Sequence, residues 1–321
     1  MQDFTAEIPK ALKDDEASEV YSILARLIEF GFANADIESV MDVLTARADP
    51  NRAKRSIGPR LVEFAEKVVN KTSDIRANSL LERIKEQIEA RCAKAYFQQS
   101  DAHYEKFFKH APTGTINGIP THLRQIFTTN YDLCVDKFLR RRGYVDGFEE
   151  RAGYGRVFTG SWARANGYTL CKLHGSVNWF EIGGRITQLS FAPGQSYMDE
   201  QVTGRMMVYP ASEKYALITP YAECLFYLRG SLMERSADPV VVIGYSFRDS
   251  PINNAFVDAI KVNPGLRIIT LRRYANAHQY ELEEPLRSRV IPIDGDFASD
   301  KSLNDLDSAI RGEGPFLRLN Q

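Results

Sequence analysis

Apolar residues fall at helical spacing through the first third of the chain. Val20, Ile23, Leu24, Leu27 and Ile28 follow the i, i+3, i+4 rule that lines one face of a helix. Leu61, Phe64, Ala65, Val68 and Val69 repeat that spacing, and Leu81, Ile84, Ile88 and Cys92 extend it along a longer stripe. The polar segments Asp49-Pro50-Asn51-Arg52 and Lys71-Thr72-Ser73-Asp74 separate the stripes. Each stripe is what core packing requires. Residues 1–111 are therefore expected to be helical, and to belong to, or be inserted in, the domain that follows.

The texture changes near Pro112, where residues 112–120 hold two prolines and two glycines. Beyond it, short apolar runs alternate with helical stretches. Ile126–Thr129, Tyr168–Leu173, Val240–Ile243 and Leu266–Leu271 read as strands. Val290–Ile293 reads as a short edge strand, because an edge tolerates Pro292. Asp132 to Arg142 reads as the helix after the first strand. This alternation predicts a mostly parallel α/β sheet over residues 112–300. Residues 181–220, with Gly183-Gly184, Pro193-Gly194, Pro210 and Pro220, read as an insertion forming a hairpin or lid. Tyr215, Tyr221, Phe226 and Tyr227 suit an amphipathic helix packed on the sheet, and residues 301–321 read as a C-terminal tail.

Composition narrows the function classes. The 321 residues are 44% hydrophobic and 26% charged, the balance of a globular protein with a sizeable core. Lys and Arg total 41 against 42 Asp and Glu, for a net charge of -1, which excludes a generally basic nucleic-acid coat. Direct nucleic-acid binding is not expected. No apolar run approaches the roughly 18 residues of a membrane span, and Met1-Gln2-Asp3-Phe4 does not start a signal peptide. Cys92, Cys134, Cys171 and Cys224 form no CxxC pair, so the reading is reduced thiols in a cytoplasmic protein with no metal site. Arg140-Arg141-Arg142 suits the negative end of a helix, and Arg272-Arg273 reads as solvated surface or as a contact for an extra phosphate.

Three strands run directly into polar residues or glycine. The stretches are Thr128-Thr129-Asn130-Tyr131-Asp132, Lys172-Leu173-His174-Gly175-Ser176-Val177-Asn178-Trp179 and Gly244-Tyr245-Ser246-Phe247-Arg248-Asp249-Ser250-Pro251. In an open parallel sheet, ligands bind outside the carboxyl ends of the strands, so Asn130, His174 and Gly244 are expected on one rim. Each stretch also has a plainer role. Asn130 and Asp132 suit a helix cap, His174 suits a hydrogen-bonded core position, and Ser250-Pro251 reads as a cap followed by proline at the first helical position. Gly175 would let a ligand approach the backbone closely.

Together IFTTNYD (126–132), CKLHGSVNW (171–179) and VVIGYSFRDSPIN (241–253) resemble the sirtuin-like family, in its divergent bacterial branch without the zinc module. The Asp36-Ile37-Glu38-Ser39-Val40 stretch is similar too, with less specificity. The resemblance implies a Rossmann-like, NAD-binding fold in which NAD+ is the substrate. It implies Asn130, His174 and Asp132 as catalytic residues: Asn130 on the nicotinamide-side ribose, His174 as general base and Asp132 near the carboxamide. It implies Thr128, Thr129, Tyr131, Gly175, Gly244, Tyr245, Ser246, Asp249 and Asn253 as cofactor contacts. It further implies NAD+ hydrolysis to ADP-ribose and nicotinamide in anti-phage defence, by a homo-oligomer or beside a partner defence subunit. A non-catalytic subunit binding NAD or ADP-ribose is the alternative, and NAD-dependent protein deacylation is a weaker one. The chemistry suits the residue types. A neutral imidazole accepts a proton near neutral pH, and an amide positions through both donor and acceptor.

Two features depart from the family pattern: Arg272-Arg273-Tyr274 stands where the family often meets the adenosine ribose, and the usual glycine-rich loop is missing. No strand ending in a glycine-rich Gly-Ala-Gly-x-Ser loop precedes Asp36, where Gly31 is the single glycine. Two readings stay open: a first strand and loop of about 20–40 residues lies upstream of this sequence, or the chain is a degenerate member. Either predicts exposed backbone edges on the strands that would flank the missing one.

Overall fold

The computed structural model describes residues 4–32, 35–48, 63–65, 74–98, 102–110, 114–116, 119–121, 125–153, 155–162, 168–190, 202–207, 219–234, 239–247, 249–273, 282–297 and 299–313. In chain order they form α1 (Phe4–Glu7), α2 (Asp14–Glu29), α3 (Ile37–Ala48), α4 (Asp74–Gln98) and α5 (Ala102–His110). Next come β1 (Gly114–Ile116), β2 (Ile119–Thr121), β3 (Gln125–Thr128), α6 (Cys134–Arg140), β4 (Tyr144–Val145), β5 (Phe148–Arg151), β6 (Gly155–Phe158) and β7 (Tyr168–Lys172). Then follow β8 (Gly175–Ile182), β9 (Arg185–Gln188), β10 (Val202–Met207), α7 (Tyr221–Met233), β11 (Val240–Ile243), α8 (Ser250–Val262), β12 (Ile268–Arg272), β13 (Val290–Asp294) and α9 (Asp300–Arg311). Among the described residues, no helix is long and apolar enough to cross a membrane.

Two compact units share the chain. The first comprises residues 1–97, 130–133 and 174–218. Its core joins the predicted stripes: Val20, Ile23, Leu24 and Leu27 of α2 pack with Leu81, Ile84, Ile88 and Cys92 of α4. Ile28 is 54% exposed, because the next residue along a helix turns about 100° away from the buried stripe. Phe64 and Ala65 join this core, while Leu61, Val68 and Val69 lie outside the described residues. Asp36 accepts a hydrogen bond from the Ser39 N–H at 3.1 Å and so caps α3. Strands β10, β8 and β9 run antiparallel in that order, and the β8–β9 hairpin begins at Gly175, before the segment read as an insertion. Residues 191–201 and 208–218 of that segment lie outside the described residues. Trp179 of β8 is buried in this unit.

The second unit comprises residues 98–129, 134–173 and 219–321. It holds two parallel three-stranded sheets, ordered β3-β7-β4 and β11-β12-β13, and the antiparallel hairpin β5–β6. The period of two along β7 sets what each face meets. Leu170 and Tyr168 pack toward Phe108 of α5 and Phe138 of α6. Thr169 and Cys171 face α7, where the Thr169 hydroxyl meets Tyr227 Oη at 3.3 Å and Cys171 Sγ donates to the Cys224 carbonyl at 3.7 Å. Burial pushes the Cys171 thiol up from its ordinary range, so it stays an inert core group. Phe226 is 60% exposed, while Tyr227 stacks on Trp162 with ring centroids 4.6 Å apart.

β13 is an edge strand, with Pro292 opposite Thr270. Residues 300–311, at the start of the segment read as a tail, form α9. Its Leu303, Leu306, Ala309 and Ile310 pack on Ile269, Leu271, Ile291 and Ile293. Ser299 caps its start, and Gly312, at φ 69°, closes its end.

Candidate functional site

At the carboxyl ends of β3 and β7, in the second unit, the Leu173 N–H donates to the Thr128 carbonyl at 2.8 Å. The chain then passes from each strand into the first unit. There the Tyr131 carbonyl accepts from the Ser176 hydroxyl at 3.2 Å and from the Val177 N–H at 3.1 Å. Tyr131 is buried in the helical core beside Leu133 and Val177, with its ring 6.3 Å from that of His174. It therefore anchors the turn. Asn130 stays exposed on one side of it, and Asp132 and His174 are half-buried. Asn130, Asp132 and His174 thus lie in the same unit, the first two flanking Tyr131 in the chain and the third against its ring.

Gly175 has a packing reason of its own. Its φ is +79°, and a Cβ there would lie 2.1 Å from the Met206 carbonyl oxygen. Gly175 sits opposite Met207 in the β8–β10 pairing, so its missing side chain lets β10 close on the turn that carries His174.

The Gly244–Asn253 segment forms a second cluster, within the other unit. Gly244, at φ +62°, is exposed, and its N–H donates to the Leu271 carbonyl at 3.0 Å. Among the described residues, no heavy atom outside its chain neighbours lies within 4 Å of where its Cβ would be. The Tyr245 carbonyl accepts from Arg272 Nη1 at 3.2 Å. The Tyr245 hydroxyl lies 3.1 Å from Asn253 Oδ1 and 3.3 Å from the Asp249 carbonyl. Burial, with the nearby Asp249 charge, holds that hydroxyl protonated far above neutral pH. Asn253 Nδ2 donates to the Phe247 carbonyl at 2.6 Å and holds Phe247 in the left-handed region at φ 55°. The helix cap is Asp249, whose Oδ1 accepts the Ile252 N–H at 3.3 Å, so the cap sits one residue before the Ser250 expected from the sequence. Ser246 is left exposed on this braced loop. Arg272 braces the loop, while Arg273 stays on the surface, where it pairs with the exposed Asp296.

A family model described as SIR2-like domain matches residues 124–291, more than half of the chain. The chain belongs to the SIR2-like family. The matched span runs from the start of β3 into β13 and includes both clusters. A SIR2-like domain has a Rossmann-like fold and implies use of NAD+. No curated protein matches the chain. Among the described residues, no group of three or more His, Cys, Asp or Glu side chains is placed to hold a metal ion.

This SIR2-like domain also contains charges that the sequence reading passed over. Lys172 Nζ lies 2.9 Å from Asp136 Oδ2, and Asp146 makes a bidentate pair with Arg156 at 2.7 and 3.0 Å. Tyr144 titrates far above its ordinary range because of burial and the Asp136 and Asp146 charges. Lys172 occupies a strand position whose neighbours Leu170 and Cys171 are apolar and buried, and that was the available signal.

Proposed function

We propose that the chain is an NAD+ hydrolase that cleaves the nicotinamide–ribose bond to give ADP-ribose and nicotinamide. What supports this reading is the tie between the two motif segments, in which the Tyr131 carbonyl, flanked by Asn130 and Asp132, accepts from the Ser176 hydroxyl and the Val177 N–H just after His174. As the bond breaks, its electron pair leaves with nicotinamide and positive charge builds on the ribose. Asn130 orients the ribose and the attacking water through its amide. Water forms the new bond to the anomeric carbon, and the His174 imidazole takes its proton. Asp132 holds the carboxamide of the leaving group.

Gly244, Tyr245 and Ser246 take the adenosine half. The exposed Gly244 and Ser246 offer close backbone approach and a hydroxyl, on a loop that Asn253, Asp249 and Arg272 keep rigid. Thr128 and Thr129 line the end of β3. Tyr131 and Gly175 serve the site by shaping the backbone that presents its residues. In the cell, this activity would deplete NAD+ in defence against phage, by a homo-oligomer or with a partner subunit as trigger.

The test is direct. Purified protein, alone and after phage challenge of cells expressing it, is assayed for loss of NAD+ and release of nicotinamide. Stoichiometric binding without turnover in both settings would favour a non-catalytic subunit, and turnover dependent on an acetylated peptide would favour deacylation.

A further inference from the structure

Strand β8 is buried from Gly175 to Phe180, yet this stretch includes the polar residues Ser176 and Asn178. Val177 belongs to the helical core, so the period of two along the strand turns Ser176 and Asn178 to its other face. A buried hydroxyl or amide is costly without a hydrogen-bond partner, and each of these reaches a backbone carbonyl. Asn178 Nδ2 donates to the Leu189 carbonyl at 3.2 Å, which closes the β8–β9 hairpin. The Ser176 hydroxyl instead reaches out of the hairpin. It donates at 3.2 Å to the carbonyl of Tyr131, 45 residues earlier, in the same unit.

That bond fixes more than one oxygen. A carbonyl accepts through two lone pairs, and the Ser176 hydroxyl and the Val177 N–H, at 3.1 Å, fill both. The peptide unit is planar, so the orientation of the carbonyl sets the plane that runs on to the Asp132 Cα. At the other end of the residue, the buried Tyr131 ring lies 6.3 Å from the His174 ring. With the Val177 bond alone, the plane would be free to pivot about a single contact.

We propose that Ser176 is a positioning residue, a role that rests on the hydrolase reading above. Its hydroxyl holds the Tyr131–Asp132 peptide plane, and through it the Asp132 carboxylate, in place relative to His174. Ser176 acts through the backbone and not on NAD+ itself. Displacing an aligned group by about 1 Å costs about 100-fold in rate, so one buried hydroxyl has leverage out of proportion to its bond. An alanine at this position keeps the fold, since the Val177 N–H and the buried Tyr131 ring still hold the turn.

Two variants of the whole chain test it. Ser176→Ala and Asn178→Ala each remove one buried side-chain bond from the same face of β8, and only the first bond reaches the turn. Both are compared with the parent in NAD+ kinetics and in the imidazole proton signals of His174, assigned by their loss in His174→Ala. Ser176→Ala should lower kcat by about 10- to 100-fold with little change in KM. It should also shift the His174 signals, because the neighbouring Tyr131 ring moves. Asn178→Ala should match the parent in both. If Ser176→Ala unfolds, Ser176→Cys keeps the volume with only a weak donor, and the same changes are expected of it. Unshifted His174 signals, a parent-like kcat, or equal changes in Asn178→Ala would overturn the role of Ser176. A parent protein without turnover would overturn the hydrolase reading alone, and the His174 signals would then decide whether Ser176 positions the turn.

Discussion

Lys172 and Asp136 form an ion pair at 2.9 Å from side chains that are only 2% and 6% exposed. Lys172 is the last residue of β7, two positions before His174, and Asp136 lies on α6. Removing two charges from water is costly, and the partner left behind by a single deletion bears that cost alone. Lys172→Met should destabilise the second unit by about 3–5 kcal/mol, and Lys172→Met with Asp136→Leu should recover most of that loss. Urea unfolding of the four members of the cycle measures it. A double variant as unstable as the sum of the singles would show that the pair is not coupled.

The same carboxyl gives a pH dependence of definite sign. Burial raises the Asp136 pKa, and the Lys172 charge only partly offsets this. The folded chain therefore holds a proton that the unfolded chain releases near its ordinary value of about 3.9. In the window above that value the native state binds more protons, so stability falls as pH rises until the folded carboxyl has ionised. Asp136→Asn should lose this slope. Unfolding midpoints of the two proteins across mildly acidic pH provide the comparison, and parallel curves would contradict the shift.

Two glycines in the left-handed region should respond differently to alanine. At Gly175 the added Cβ meets the Met206 carbonyl oxygen at 2.1 Å, so β10 must move. At Gly244 it meets nothing within 4 Å among the described residues. Gly244→Ala should cost only the left-handed penalty of about 1–2 kcal/mol, and Gly175→Ala should cost clearly more. Thermal unfolding ranks them, and a Gly175→Ala protein as stable as Gly244→Ala would argue against the close β8–β10 approach.

His174→Ala and Asn130→Ala should lower NAD+ consumption by about 100- to 10,000-fold, the range for removing an acid–base or positioning group. Asn130 is exposed and His174 half-buried, so both variants should unfold within about 1 kcal/mol of the parent. Unchanged turnover in either folded variant would remove that residue from the proposed chemistry.

Local pattern carried much of this architecture. Val240–Ile243 emerges as a strand with its predicted bounds because four consecutive β-branched residues favour little else. The stripes of α2 and α4 were equally plain, since periodicity alone decides which side chains reach a core. The β5–β6 hairpin was not legible, because Phe148-Glu149-Glu150-Arg151 carries charge where a strand signal is sought. Within the candidate site, the polar types at Asn130, Asp132 and His174 were visible. That Tyr131 turns inward was not, because the core it joins is built from helices about 40 and more residues upstream and from Val177 and Met207, about 46 and 76 residues downstream. The burial of Lys172 depends likewise on Asp136, 36 positions earlier.

The chain has two tryptophans, Trp179 in the first unit and Trp162 in the second, at 1% and 8% exposure. Each unit thus holds one tryptophan. Trp162 lies flat against Tyr227, with 5° between the rings, and Trp179 sits within β8. Excited at the red edge of tryptophan absorption, where tyrosine absorbs little, the tryptophan emission of a Trp162→Phe protein reports the first unit and that of Trp179→Phe the unit with the parallel sheets. Melting the two proteins side by side follows each half of the molecule in its own spectral channel, without any label.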